Sequence, residues 1–243
     1  MKEICPQDLK GTCPGTFTLA YTFAVNLRPR RGDNPMDLRN LGMSFNVYVT
    51  PRIFLELDQS HVISQQAAGQ PRVTGVGDSG VVTGLDVSLE GKKAPGVALL
   101  YGVKLPTASV AKGLGSGKAD QQVTANIHKT FGKTYLEYDT SLILVRVPNT
   151  EGTRVSTLGT SVMSGVLQRS LTPRQLLHFQ LDATLSGHSY KSDLAALSFW
   201  QTRLNDHVSL RLGGGAGLTS NAPRAGFYLA FIWEDNLRRW GRR

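Results

Sequence analysis

The sequence holds no apolar run long enough to cross a membrane as a helix. Its best stretch, Gly96–Val103 (GVALLYGV), falls well short of the roughly 20 residues a spanning helix needs. A helical membrane protein is excluded. A barrel is not, because barrel strands need only about 10 residues each and alternate, which hides them from hydropathy averaging. Amphipathic helices are missing as well: no long segment repeats its apolar residues at the helical period.

Cysteine is scarce. Cys5 and Cys13 are the two in the chain, and the nearest histidine in sequence is His61, so neither a zinc site nor another metal or cofactor is expected. The pair is a disulfide candidate suited to an oxidising periplasm; two open thiols in a leader are the other reading. Cys5 has only four residues before it, and MKEICPQDLK has no apolar core. Lipoprotein acylation is therefore not expected, and the expectation is an exported chain whose signal is absent from this sequence.

Acid is the minority charge, 18 Asp and Glu against 27 Lys and Arg, for a formal +9. Much of the excess sits in RPRRGDN (Arg28, Arg30, Arg31) and RRWGRR (Arg238, Arg239, Arg242, Arg243). No helix-turn-helix, zinc or aromatic RNA-binding signature accompanies it, so nucleic acid is not an expected partner. Anionic lipid headgroups, including lipopolysaccharide, are.

What the chain has in abundance is alternation. In GTFTLAYTFAVNL (Gly15–Leu27), Phe17, Leu19, Tyr21, Phe23, Val25 and Leu27 take every second position, with Thr, Ala and Asn between them. A period of two marks a strand with one apolar face and one small, polar face. The pattern recurs in NLGMSFNVYV, IFLELDQSHVI, SGVVTGLDVSL, GVALLYGVKL, QQVTANIHKTF, TYLEYDTSLILVRV, STLGTSVMSGVLQRS, QLLHFQLDATLS, VSLRLGGGAGL and AGFYLAFIW. SDLAALSFWQT, whose facing stays open, completes about twelve strands.

Two features choose between a soluble sandwich and a barrel. The connections after strands one, three, five and seven are expected to run to about eight residues or more, and most of those between them to about two to five, which is the rhythm of short periplasmic turns and long outer loops. The minor face is Thr, Gly, Ser, Asn and Ala with scattered charges, where a sandwich exposed to water would carry Lys and Glu; a crowded barrel interior suits it. The expected fold is therefore all-β, an antiparallel up-and-down transmembrane barrel of about 12 strands in a Gram-negative outer membrane. A leader occupies 1–14, the barrel 15–233 and a basic tail 234–243. Arg31, Gly69 and Gly115 are expected outside the cell, and Pro51, Gly132 and Pro173 in the periplasm.

GVGDSGVVTGLDVSL, then PGVALLYGVKLPTAS, then KGLGSGKADQQVTANIHKTFGK resembles the MetA-pathway of phenol degradation family of outer-membrane transporters. In that family a Gly-Val-Gly-Asp strand start leads to a Gly-Val-Lys-Leu-Pro-Thr strand end, a Gly-rich loop and a short Phe-Gly turn. The match covers about Gly75 to Lys133 and is carried elsewhere by strand rhythm alone. It implies a barrel linked to uptake of aromatic or other hydrophobic compounds, folded by the barrel-assembly machinery. The chain departs from the usual aromatic ending of such barrels, since GFYLAFIW is followed by EDNLRRWGRR.

Motifs for chemistry are weak. KGLGSGK (Lys112–Lys118) lacks the first glycine of a phosphate loop and is followed by Ala119, with no helix after it. His207, Ser209 and Asn221 are the residue types of an outer-membrane lipid hydrolase, but parity turns Ser209 inward and leaves Asn221 at the far end of its strand. No enzyme is expected. By the same parity Glu56, Asp58, Asp86, Lys104, His128, Glu137, Asp139, His178, Asp182 and Arg211 line the lumen. They are expected either to select small solutes in a passive, porin-like conduit or to pair across the barrel and plug it, leaving a structural or adhesive role.

Overall fold

In the computed structural model the residues described are 16–28, 36–50, 52–67, 71–148, 155–186, 193–219 and 225–236. Cys5, Cys13, Asn221, Arg31, Gly69, Pro51, the 1–14 leader and the tail beyond Asn236 lie outside them. Twelve strands follow one another: β1 (Thr16–Arg28), β2 (Met36–Tyr48), β3 (Ile53–Ala67), β4 (Val73–Ser88), β5 (Gly96–Leu105), β6 (Asp120–Phe131), β7 (Thr134–Pro148), β8 (Val155–Thr172), β9 (Gln175–Ser186), β10 (Asp193–Arg203), β11 (Val208–Gly217) and β12 (Ala225–Asn236). Each pairs antiparallel with its chain neighbours, and β1 pairs with β12, so the sheet closes on itself. Closure removes the unpaired strand edges that an open sheet would present to lipid.

The usual inside-out rule is inverted. Leu57, Leu85, Leu99, Tyr101, Val123, Ile127, Leu136, Tyr138, Leu142, Phe179, Leu181 and Phe231 are all exposed, whereas the buried apolar residues among those described are Phe54, Ala98, Ala108, Ala230 and Ile232. Buried instead are Asp86, Thr124, Asn126, His128, Ser141, His178, Gln201 and Ser209. Strands wearing an apolar band outside and polar groups inside are built for lipid. In the first strand, Leu19 pairs with Trp233, Tyr21 with Phe231, Phe23 with Leu229 and Val25 with Phe227, and both Phe227 and Phe231 are exposed.

Several strands are longer than alternation suggests. β2 begins at Met36, inside a stretch expected to be loop, and β12 continues past Trp233 to Asn236. β4 begins at Val73, in place of a long connection running to Ser79. The cause is a change of phase. Thr74 and Val76 are exposed near its start, but Thr83, Leu85 and Val87 further on, and the register with β3 slips between Gln59 and His61. A bulge inserts the extra residue and breaks the period of two from which a strand is recognised. The facing of β10 is settled by its register: Phe199 lies opposite His178 and Gln201 opposite Arg211, both inward, so Ala195 and Leu197 are inward as well.

The connections at 29–35, 68–72, 106–119, 149–154, 187–192 and 218–224 lie at one end of the barrel, and those at 49–52, 89–95, 132–133, 173–174 and 204–207 at the other. Long and short connections alternate except at 89–95, which is as long as 29–35, but 68–72 and 149–154 fall short of the expected eight residues because the flanking strands extend into them. At the short-turn end two aromatic rings sit on glycines directly across the ladder: Phe54 opposite Gly84 and His128 opposite Gly96. The missing Cβ makes the room each ring occupies, an arrangement that restores packing to strand glycines.

Candidate functional site: an acidic cavity through the barrel

β3 to β9 together wall a cavity of about 880 Å³. Its lining starts at Thr130 and Tyr135, beside the short turn between β6 and β7, and reaches Gly102 and Gln122 near the opposite ends of β5 and β6. The space thus runs along the strands and is not a dent in one mouth. Four of the ten charged or histidine positions picked by parity line it: Glu56, Glu137, Asp139 and Asp182. No Lys or Arg does, among the described residues.

Strand register explains why the carboxylates converge. Asn126 lies opposite Asp139, Asp139 opposite Ser164, and Ser164 opposite Asp182, forming one row across β6, β7, β8 and β9. Strands lie about 4.8 Å apart, so Asp139 and Asp182 stand roughly 10 Å from one another, and Glu137 is one inward step along β7. Each carboxylate is oriented by a neutral group. Asn126 Nδ2 donates to Asp139 at 2.7 Å, Gln180 Nε2 donates to both oxygens of Asp182 at 2.8 and 3.0 Å, and the Tyr135 hydroxyl donates to Glu137. The two amides are themselves held by histidines: His128 Nδ1 lies 2.9 Å from Asn126 Oδ1, and His178 Nε2 lies 3.0 Å from Gln180 Oε1. Two His–amide–carboxylate relays therefore run side by side, each ending with its carboxylate in the cavity.

The remaining parity positions are elsewhere. Asp58 packs its Cβ against Gly80, and Asp86 is buried in β4 opposite Ala98. Lys104 is an ion-paired residue, but with partners that strand reading misses: Asp78 at 3.2 Å and Asp120 at 2.5 Å, plus Ser116 Oγ at 2.9 Å. Asp78 falls in the bulged part of β4, and Asp120 one residue before the expected start of β6, which is why alternation does not pick them. Asp78 Oδ1 also accepts the Ala108 N–H at 3.0 Å, tying the 106–119 loop to the mouth of the barrel. Arg211 faces inward from β11 but is not among the residues lining this cavity. Its guanidinium lies 4.3 Å from the centre of the Phe199 ring and donates twice to Gln201 Oε1, at 3.1 and 2.9 Å, and His178 stacks on the same Phe199 ring with the ring centres 4.0 Å apart. The neutral orienting residues Asn126, Tyr135 and Gln180 share the parity of the carboxylates, the signal by which they are recognisable in the sequence.

Ser209 is buried and inward, as parity requires, and His207 lies in the turn before β11 with its ring 6.4 Å from that of Trp233. Among the described residues no three His, Cys, Asp or Glu side chains form a metal-ligand set.

No known protein family and no curated protein matches the chain. Solved structures do. An outer membrane channel from Pseudomonas putida F1 matches at TM-score 0.73 and 13% identity, over 95% of this chain and 99% of that one. The NanC porin matches at 0.58 and 6%, over 90% and 98%. The CymD monoaromatic hydrocarbon channel matches at 0.51 and 9%, over 92% and 88%. At these identities the shared property is the fold, the up-and-down barrel of outer-membrane channels.

Proposed function

We propose that this protein is an outer-membrane channel for passive passage of small solutes, and that it belongs with the MetA-pathway of phenol degradation family. The observation that carries the reading is the cavity of about 880 Å³ running along β3 to β9 behind an apolar, lipid-suited outer face. Whole-length fold likeness to a Pseudomonas putida channel of that family, together with the Gly75–Lys133 motifs, supports the family placement. A plugged barrel needs its lumen charges paired across the interior. Here, among the described residues, the inward cations Lys104 and Arg211 are engaged with Asp78, Asp120 and Gln201, and the cavity lining holds acidic groups but no Lys or Arg. A lumen of that sign prefers cations, because the field along the path selects ions. The chain acts without chemistry of its own: Ser209 is buried, and His207 is set against Trp233.

Planar-bilayer recordings test this. Reconstituted protein is expected to conduct, with a reversal potential favouring K⁺ over Cl⁻ that shrinks in Asp139→Asn and Asp182→Asn. Absence of conductance, with no entry of arabinose into proteoliposomes, would instead support the plugged barrel. Lipid hydrolysis lost in Ser209→Ala would revive the enzyme.

A further inference from the structure

We infer that the solutes this cavity is built to pass are organic cations with an apolar body, aromatic or aliphatic ammonium compounds, in preference to aromatic acids; the inference rests on the channel reading above. Three independent features of the wall point to this class. The first is the sign of its charge and the way it is held. Glu137 and Asp182 receive neutral donors, Tyr135 and Gln180. A carboxylate oriented by a neutral amide or hydroxyl keeps its full charge for a passing cation, while one locked to a Lys or Arg does not.

The second feature is where the cationic side chains go. Lys104 is drawn to the mouth by Asp78 and Asp120, and Arg211, on β11, holds its guanidinium over Phe199 and on Gln201. Neither lines the cavity. An aromatic carboxylate or phenolate entering this cavity therefore meets like charge with no compensating cation among the described lining, and such juxtaposition disfavours it strongly.

The third feature gives the apolar half of the ligand. Val82, Leu100 and Val162 also face the cavity. Val162 lies two residues along β8 from Ser164, the residue standing between Asp139 and Asp182 in the ladder, so its side chain sits roughly 7 Å from the acidic row. Leu100 joins Val162 through one row of register partners, Thr124 and Ser141. A small inorganic cation makes no use of these side chains. A solute carrying an ammonium at one end and a ring or short chain at the other touches both surfaces at once, and burying its apolar part is favourable in proportion to the area covered.

The test uses permanently charged probes, which do not cross lipid unaided: phenyltrimethylammonium, benzenesulfonate and tetramethylammonium. Bi-ionic reversal potentials across bilayers holding the full chain are expected to give phenyltrimethylammonium a permeability at least about ten-fold that of benzenesulfonate. Phenyltrimethylammonium is also expected to slow K⁺ current at several-fold lower concentration than tetramethylammonium, reporting contact with the apolar wall. Glu137→Gln combined with Asp182→Asn should bring the first ratio down to about two-fold or less. Leu100→Ser combined with Val162→Ser should erase the second difference. Equal passage of phenyltrimethylammonium and benzenesulfonate overturns the inference while leaving the channel intact, as does block by tetramethylammonium at the same concentration as phenyltrimethylammonium. A protein that passes neither K⁺ nor arabinose overturns both this and the channel reading.

Discussion

Gly84 shows how a single missing Cβ shapes the interior. A methyl built there falls within the van der Waals shell of the Phe54 ring, its register partner, and Phe54 is 1% exposed, so the ring is already enclosed where the methyl would go. Close-packed interiors resist such overfilling, typically by about 1–3 kcal/mol. Gly84→Ala is accordingly expected to lower the temperature at which the folded barrel loses its fast-migrating, unboiled form on gels. Phe54→Leu in the same chain, which withdraws the ring, should recover much of the loss. Gly91 supplies the contrast: a methyl there meets nothing within 4 Å, and Gly91→Ala should migrate like the parent. Equal behaviour of Gly84→Ala and Gly91→Ala would remove the ring-on-glycine account. At this scale the sequence was partly readable. Parity identifies Gly84 as inward, but that Phe54 stands directly across from it depends on the register between β3 and β4, which the bulge resets.

At the scale of elements, the turn between β4 and β5 is held by groups that alternation has no means of marking. Glu90 accepts the Thr130 N–H at 2.8 Å and its hydroxyl at 3.1 Å and pairs with Lys129 at 3.4 Å, while Lys129 Nζ also donates to the carbonyls of Gly91, Lys92 and Ala94. The turn is thereby clipped to the end of β6. Burial pulls the Glu90 carboxyl upward, but the Thr130 and Lys129 contacts outweigh it and hold it below the usual glutamate range. Because the folded value lies below the unfolded one, the stabilisation is complete above about pH 4.3 and fades as the pH falls through the folded value. For a clip at the membrane edge it amounts to about 1 kcal/mol or less. Thermal unfolding of the parent and Glu90→Gln should differ at pH 7 and converge near the acid limit; a gap unchanged between the two would dismiss the clip. The same contrast explains what was legible. β5 and β9 begin and end where alternation and turn residues put them, Gly96–Leu105 and Gln175–Ser186. β4 and β10 resist the same reading, one because its phase changes at a bulge, the other because Leu194, Ala195, Ala196 and Leu197 are apolar on both faces and leave the inward side to be fixed by Phe199 and Gln201 pairing with their neighbours.

For the molecule as a whole, closure by β1 and β12 determines which end is which. Thr16 and Asn236 are register partners, so the chain enters and leaves the barrel at one end. It is the end of the short turns at 132–133 and 173–174, while the 106–119 loop emerges at the other. An even number of up-and-down strands requires the termini to share a side, and in outer-membrane barrels that side is the periplasm. The acidic row of the cavity then lies below a mouth where Lys104 is clamped between Asp78 and Asp120, a cluster with one acid in excess, so a solute arriving from outside passes this clamped rim before reaching Asp139 and Asp182. Lys112 and Lys133 are the positions to read the orientation. Both are exposed, one in the long loop and one in the turn after β6, and they avoid Gly132, whose φ of 57° makes it a strained site for substitution. In a chain with Cys5→Ser and Cys13→Ser, Lys112→Cys is expected to react with a membrane-impermeant maleimide on intact cells, and Lys133→Cys only after the outer membrane is breached. Reaction of Lys133→Cys but not Lys112→Cys on intact cells would turn the barrel over, and with it the order in which a solute meets the clamped rim and the acidic row.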